Sequence, residues 1–124
     1  MRVGLAPLPV AATDFRLRHK TTSRGFYDDA RATAQADEVV FFDRDGFVTE
    51  GSFTNVFIER DGLLVTPPLT RGLLPGILRA ALLDAGKAIE GDVRVEDLHA
   101  GFMLGNAVRG LTAVSARALL RAAS

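Results

Sequence analysis

Arginine supplies nearly all the positive charge of this chain: of 15 basic residues, only Lys20 and Lys87 are lysine. A guanidinium stays protonated at any useful pH, whereas a lysine amine can be neutralised and used as nucleophile or base. Lys20 closes the run Arg16-Leu17-Arg18-His19-Lys20. On a strand, Arg16, Arg18 and Lys20 share one face. Cations this close disfavour the protonated amine, and the same stripe attracts a carboxylate or a phosphate. An exposed basic edge strand has the same spacing and no chemistry.

Three further segments carry chemistry-bearing groups. In Thr49-Glu50-Gly51-Ser52-Phe53-Thr54-Asn55 a carboxylate precedes a glycine, small hydroxyls and an amide. Gly51 admits close backbone approach, and Ser52, Thr54 and Asn55 offer donors. If buried, Glu50 needs a cationic or protonated partner. An ordinary polar loop between strands reads the same way. Gly72-Leu73-Leu74-Pro75-Gly76-Ile77 has the character of a helix start whose free N–H groups and dipole suit a phosphate, although most helix starts bind nothing. Gly105-Asn106-Ala107-Val108-Arg109-Gly110 sets an amide and a guanidinium in a glycine-flanked turn. Asn106 suits a phosphate and Arg109 a carboxylate. The alternative is a turn whose Asn and Gly tolerate positive φ.

Positioning these groups falls to alternating strands and helices. A strand is expected over 3–10 and extended chain over 15–20. Ser23 suits the cap of a helix over about 26–35, with Asp28 and Asp29 in its first turn. Two hairpins follow, 38–42 with 47–49 around Asp45-Gly46, and 53–59 with 63–66 around Asp61-Gly62. Pro67-Pro68 breaks the sheet pattern. Pro75 suits the first position of a helix with a stripe of Ile77, Leu78, Ala81, Leu82 and Ala85, ended by Gly86. Beyond it come a short strand at 93–95, a helical turn at 96–100, buried strands at 102–104 and 111–114, and a terminal helix over 116–123. The pattern implies α/β (α+β) architecture, a mixed sheet with flanking helices.

Composition sets limits. A chain of 124 residues suits one domain, 1–124, and 48% hydrophobic content supports a real core. Acids and bases balance at 15 each, so nothing draws the chain to nucleic acid or to an anionic membrane. Cysteine is absent, which removes disulfides and thiol chemistry, and His19 and His99 lie too far apart in sequence to suggest a metal site. No apolar run has the length to span a bilayer. Pro7 and Pro9 interrupt the apolar start, which makes a poor signal peptide. A cytoplasmic protein is expected.

A reactive lysine, a carboxylate and two phosphate-friendly backbone sites match the needs of pyridoxal phosphate: a Schiff-base amine, a partner for the pyridinium nitrogen and an anion cradle. His19-Lys20-Thr21-Thr22, the 49–55 segment, Thr66-Pro67-Pro68, Leu74-Pro75-Gly76-Ile77 and Gly105-Asn106 then recur in the order of a known family. The chain resembles, over nearly its whole length, the class IV (fold type IV) pyridoxal-phosphate enzymes. These include branched-chain and D-amino acid aminotransferases and 4-amino-4-deoxychorismate lyase. His-Lys-Thr-Thr and Asn-Ala-Val-Arg-Gly look most like the lyase branch, especially lyase domains fused to aminodeoxychorismate synthase.

The resemblance implies the large C-terminal domain of the D-amino acid aminotransferase-like fold, without the family's N-terminal small domain. It implies that Lys20 forms the Schiff base and that Glu50 faces the pyridine nitrogen. Asn55 supports the ring, Ile77 and Leu78 offer backbone N–H groups to the phosphate, and Asn106 closes it from another side. Family aminotransferases often carry Thr at the positions of Leu78 and Asn106. Arg24 and Arg109 are candidates, on charge alone, for holding an amino acid-like substrate. The implied activity of the complete form is conversion of 4-amino-4-deoxychorismate to 4-aminobenzoate and pyruvate, on the folate route. The alternatives are a class IV aminotransferase (branched-chain or D-amino acid) and a non-catalytic truncated domain acting by self-association or partner binding. A homodimer is implied in each catalytic case.

Overall fold

The computed structural model describes residues 2–8 and 25–119. Lys20, Arg24, His19, the 15–20 segment and Ser23 lie outside the described residues. Among the described residues, ten regular elements follow in order. They are β1 (Val3–Pro7), α1 (Gly25–Ala34), β2 (Glu38–Phe42), β3 (Val48–Gly51), β4 (Asn55–Arg60) and β5 (Leu63–Thr66), then α2 (Ile77–Asp84), β6 (Ala88–Glu90), β7 (Phe102–Asn106) and β8 (Gly110–Val114). Short 3-10 turns occupy Leu69–Arg71, Val95–Ala100 and Ala116–Ala118.

The strands form two sheets rather than one, a three-stranded sheet β1-β2-β3 and a five-stranded sheet β6-β5-β4-β7-β8. Each is mixed: β1 runs parallel to β2 and β6 parallel to β5, while the other pairs are antiparallel. The apolar run Glu-Val-Val-Phe-Phe of β2 explains the layering, because alternate side chains leave opposite faces. Val40 enters a core with Val3, Val48, Val56, Leu98 and Leu104, which draws on both sheets. Val39 and Phe41 enter a second core under α1, with Tyr27. The Tyr27 and Phe41 rings stack there, 4.2 Å apart at 19°.

Both hairpins form where the turn chemistry places them. Asp61 (φ 55°) and Gly62 (φ 82°) both adopt left-handed backbone, the geometry of a two-residue turn that matches strand twist. In the first hairpin the Asp43 side chain accepts from the N–H of Asp45 and of Phe47, each at 3.0 Å. Several expectations are corrected. No strand forms at 93–95. Val93 is buried, and the segment makes one isolated antiparallel bridge, Arg94 with Phe47. In it Val48 N donates to the Val93 carbonyl at 2.7 Å and Val95 N to the Gly46 carbonyl at 3.2 Å. The strand of that region is Ala88–Glu90. Helix α2 starts at Ile77, not at Pro75, with Gly76 as its N-cap. In β8 only Val114 is buried, because this strand lies at the sheet edge. The described part of the terminal segment holds the 3-10 turn Ala116–Ala118 and a parallel bridge of Leu119 to Val3, and residues 120–123 lie outside the described residues.

The segment between β5 and α2 is tied down by Arg71. Its guanidinium donates to both carboxylate oxygens of Asp92, at 2.9 and 2.8 Å, and reaches Asp43 at 3.4 Å. The hydrogen bond from Arg71 holds the Asp92 carboxyl below the usual carboxylate range, and the bond to Asp92 raises Arg71 in turn. Arg71 also lies 3.8 Å from the centre of the Phe47 ring, with Arg94 at 4.5 Å. Leu73 is fully buried just beyond this clamp, which delivers Leu74 to the interior.

Candidate functional site

Glu50 sits near the end of β3 and is almost wholly buried. A buried carboxylate is costly unless donors surround it. Two donors come from separate parts of the chain. Tyr27 of α1 donates its hydroxyl to Oε2 at 3.1 Å, and the N–H of Leu74 reaches Oε1 at 3.1 Å. Glu50 is therefore strand, not loop, and its carboxylate is held from two sides.

Asn55 opens β4 and grips the same residue, Leu74, by its carbonyl. Its Nδ2 donates to the carbonyl of Leu74 at 3.2 Å, where Gly76 N also donates at 2.9 Å. The approach is close enough that a Cβ on Gly76 would lie 2.3 Å from Asn55 Oδ1. Glycine at position 76 is thus a packing requirement. It sets the start of α2 directly against Asn55. No side chain caps that start. Ile77 and Leu78 therefore present the N–H groups that any α-helix start leaves without an intrahelical partner. Ile77 is 77% exposed, so this end of the helix opens outward.

Asn106 closes the constellation. Asn55 pairs with Gly105 across β4 and β7, and Leu78 Cδ2 would touch a Cβ on Gly105 at 2.9 Å. Strand β7 thereby brings Asn106 beside both Asn55 and the start of α2. The Asn106 side chain organises its own turn. Its Oδ1 accepts from Val108 N at 3.1 Å and from Arg109 N at 2.8 Å, and its Nδ2 donates to the Phe53 carbonyl at 3.1 Å. The Arg109 guanidinium lies 5.4 Å from the Phe53 ring centre, and Arg31 of α1 lies 5.2 Å from it. Glu50, Asn55, Ile77, Leu78 and Asn106 are thus drawn from four parts of the sequence to one region, with Arg109 at its edge.

Two residues with no evident chemistry in the sequence help to build this region. Tyr27 is the single tyrosine of the chain and holds Glu50. Glu38, the first residue of β2, is fully buried, and its carboxylate receives the loop that follows Glu50. A carboxylate opening an otherwise apolar strand was the available signal.

The donor set suits a phosphate-bearing pyridine. A buried carboxylate can keep a ring nitrogen protonated, and an uncapped helix start beside it can take a phosphate. Among the described residues, no group of three or more His, Asp or Glu side chains could hold a metal ion, and no helix is long and apolar enough to cross a membrane.

Residues 2–116 match the family described as amino-transferase class IV. A protein of Schizosaccharomyces pombe, provisionally named aminodeoxychorismate lyase, is 40% identical over 79 residues, covering 60% of this chain and 34% of that protein. The branched-chain-amino-acid aminotransferase of Escherichia coli K12 is 39% identical over 61 residues, 49% of this chain and 20% of that enzyme. The solved structure of a provisionally assigned amino-acid aminotransferase from Mesorhizobium loti superposes with a TM-score of 0.82 at 40% identity, over 96% of this chain and 58% of that one. The chain spans well under two thirds of each of these relatives.

Proposed function

The chain belongs to the class IV aminotransferases, a pyridoxal-phosphate-dependent family, and from that premise we propose that it forms the cofactor-binding part of a 4-amino-4-deoxychorismate lyase. The observation that carries the cofactor reading is the buried Glu50 carboxylate, oriented by Tyr27 and Leu74 beside the uncapped start of α2. The lyase reading draws on the 40% identity to the fission-yeast protein and on the His-Lys-Thr-Thr and Asn-Ala-Val-Arg-Gly segments.

When bound, pyridoxal phosphate supplies an electron sink for the charge left at a carbon that loses its proton. The chain's residues do the rest. Lys20 provides the amine that anchors the cofactor, and its Nζ takes the proton from the substrate carbon bearing the amine. Glu50 holds the proton on the pyridine nitrogen. Asn55 supports the ring by fixing the Leu74 peptide. The Ile77 and Leu78 N–H groups bind the phosphate, with Asn106 shaping the opposite wall. Arg109, with Arg24, holds substrate carboxylate. In the net reaction the amine-bearing carbon loses its proton, and the ether C–O bond to the enolpyruvyl group breaks. The ring becomes aromatic, and the leaving group takes up a proton to become pyruvate. Full turnover is assigned to a form in which a second domain or subunit walls the site and excludes water.

A direct test is to add pyridoxal phosphate, record the visible band, reduce with borohydride and map the modified lysine. Modification at Lys20 is expected; modification at Lys87, or none, overturns the cofactor reading. With 4-amino-4-deoxychorismate, release of 4-aminobenzoate is expected. The transaminase reading is favoured by the identity to the E. coli aminotransferase. It would show itself as pyridoxamine phosphate accumulating from an amino acid donor. Self-association is part of the proposal, and a monomer at micromolar concentration by sedimentation counts against it.

A further inference from the structure

Glu38 is fully buried, yet among the described residues no cation faces it. Five donors converge on its carboxylate instead. Oε1 accepts from Val39 N at 2.7 Å, from Ser52 N at 2.8 Å and from the Ser52 hydroxyl. Oε2 accepts from Phe53 N at 3.2 Å and from Thr54 Oγ1 at 2.8 Å. Donors on every side are the pattern of an acceptor-only carboxylate. The turn at 51–54 is therefore folded around Glu38. Its two ends are Glu50 and Asn55, the residues that hold the N–H and the carbonyl of Leu74.

The contacts continue outward. Phe53 gives its N–H to Glu38, while its carbonyl accepts from Asn106 Nδ2 at 3.1 Å. Asn106 then holds Val108 N and Arg109 N on Oδ1. The Phe53 carbonyl belongs to the peptide group shared with Thr54, and Glu38 holds the chain on both sides of it, at the Phe53 N–H and at the Thr54 hydroxyl. Because that peptide group is planar, fixing both flanks fixes where its carbonyl points, and so joins the buried carboxylate to the turn after β7.

We infer that Glu38 is a positioning residue that locks the 51–54 turn and, through the Phe53 carbonyl held within it, the 106–109 turn, so that the two loops flanking the cofactor region hold one geometry. Glu38 touches neither cofactor nor substrate. The coupling is a property of the chain alone; its consequence for ligand binding rests on the cofactor reading above.

Glutamine at position 38 keeps the volume but replaces one oxygen with a donor. If the amide oxygen stays with the three donors on the Oε1 side, the new NH2 confronts Phe53 N. Hydrogen–deuterium exchange on the full chain without cofactor reads the result. In Glu38→Gln, the amides of Phe53, Val108 and Arg109 should exchange about tenfold faster or more, as loss of hydrogen bonds to a charged group implies. Those of Val40 and Val56 should change by less than about twofold. Acceleration at Phe53 with no change at 108–109 overturns the coupling. Equal acceleration everywhere reduces Glu38 to general stability and also overturns it. Should the Gln variant fail to fold, Thr54→Val decides. It removes one donor to Oε2 at nearly constant volume and should give the same ranking at about threefold.

A second measurement uses pyridoxal phosphate affinity in a cycle of Glu38→Gln and Asn106→Ala. Each single variant should bind about tenfold more weakly, and the double variant little worse than either. Additive losses overturn the inference. If the unaltered chain binds no cofactor, the functional reading fails, while the exchange experiment still judges Glu38.

Discussion

Replacing Gly51 by alanine tests whether the 51–54 turn is as closely packed as the structure requires. A Cβ at this position would lie 2.2 Å from Thr54 Oγ1 and 2.6 Å from Glu38 Oε2. Neither atom is the loose end of a surface side chain: Thr54 and Glu38 are both buried and bonded to each other at 2.8 Å. The methyl group must break that hydrogen bond, at about 1.5–3 kcal/mol for a bond to a charged group. It must also displace its neighbours, at about 1–3 kcal/mol for overpacking. Gly51 has no left-handed backbone, so alanine recovers about 0.4–1 kcal/mol through the unfolded chain. The net loss is about 2–5 kcal/mol. For a domain of this size that is a fall in Tm of roughly 8–20 °C. Thermal unfolding followed by circular dichroism is the assay. Gly25→Ala is the control, because a Cβ there meets nothing within 4 Å among the described residues. A Gly51→Ala midpoint within about 2 °C of the parent would refute the packing argument, since the turn would then have room that the distances deny.

Three further outcomes are expected. Gly76→Ala drives a methyl to 2.3 Å from Asn55 Oδ1. It should move Asn55 off Leu74, lower Tm by several degrees, and weaken binding of pyridoxal phosphate more than that of phosphate-free pyridoxal, as titration of the visible band would show. Tyr27→Phe keeps the stack on Phe41 but removes the hydroxyl from Glu50. A loss of about 1 kcal/mol in chemical denaturation is expected, and no loss would mean that the hydroxyl does not hold Glu50. The Arg71–Asp92 pair gives a pH signature. Asp92 is depressed by its bond from Arg71, so its contribution is complete above the ordinary value of 3.8 and is lost as pH falls through the lower folded value. Asp92 is half-exposed, which limits the contribution to about 1 kcal/mol or less. Asp92→Asn should therefore destabilise at pH 6 and converge with the parent near pH 2, and a constant offset across that range would contradict it.

How far the sequence disclosed the molecule depended on whether the signal was local. The two hairpins were legible because Asp45-Gly46 and Asp61-Gly62 specify turn geometry within a few residues. Strand β2 was legible as an unbroken apolar run, since both its faces are buried. Strand β6 was not. Its three residues include two that are exposed, and its pairing with β5 depends on a crossover through α2. The apolar Leu111 suggested a buried strand, but tertiary placement puts β8 at an edge, where Leu111 is 39% exposed. Glu50, Asn55, Ile77, Leu78 and Asn106 were found by residue type and order. What drew them together was invisible in the sequence: a Leu74 residue held at its N–H and at its carbonyl, and two glycines whose missing Cβ atoms let separate segments meet.

These glycines and carboxylates point to one design principle in the site. Glu50 and Glu38 stand on adjacent strands, both buried, and each is met by backbone N–H and hydroxyl donors. Their tasks differ with what lies beyond them. Glu50 receives α1 and the segment leading to α2, the two pieces that frame the proposed cofactor. Glu38 receives the loop joining Glu50 to Asn55, together with the N–H of its own neighbour Val39. One carboxylate is therefore placed for chemistry, and the other fixes where the first can be. A buried carboxylate with a full set of donors is rigid, because every displacement breaks bonds that water cannot replace. That rigidity is what a preorganised site needs, since a misplacement of about 1 Å can cost two orders of magnitude in rate. The expected consequence is asymmetric. Glu50→Gln should leave the fold and the reducible lysine adduct intact while slowing turnover. Glu38→Gln should loosen both flanking loops before any substrate arrives.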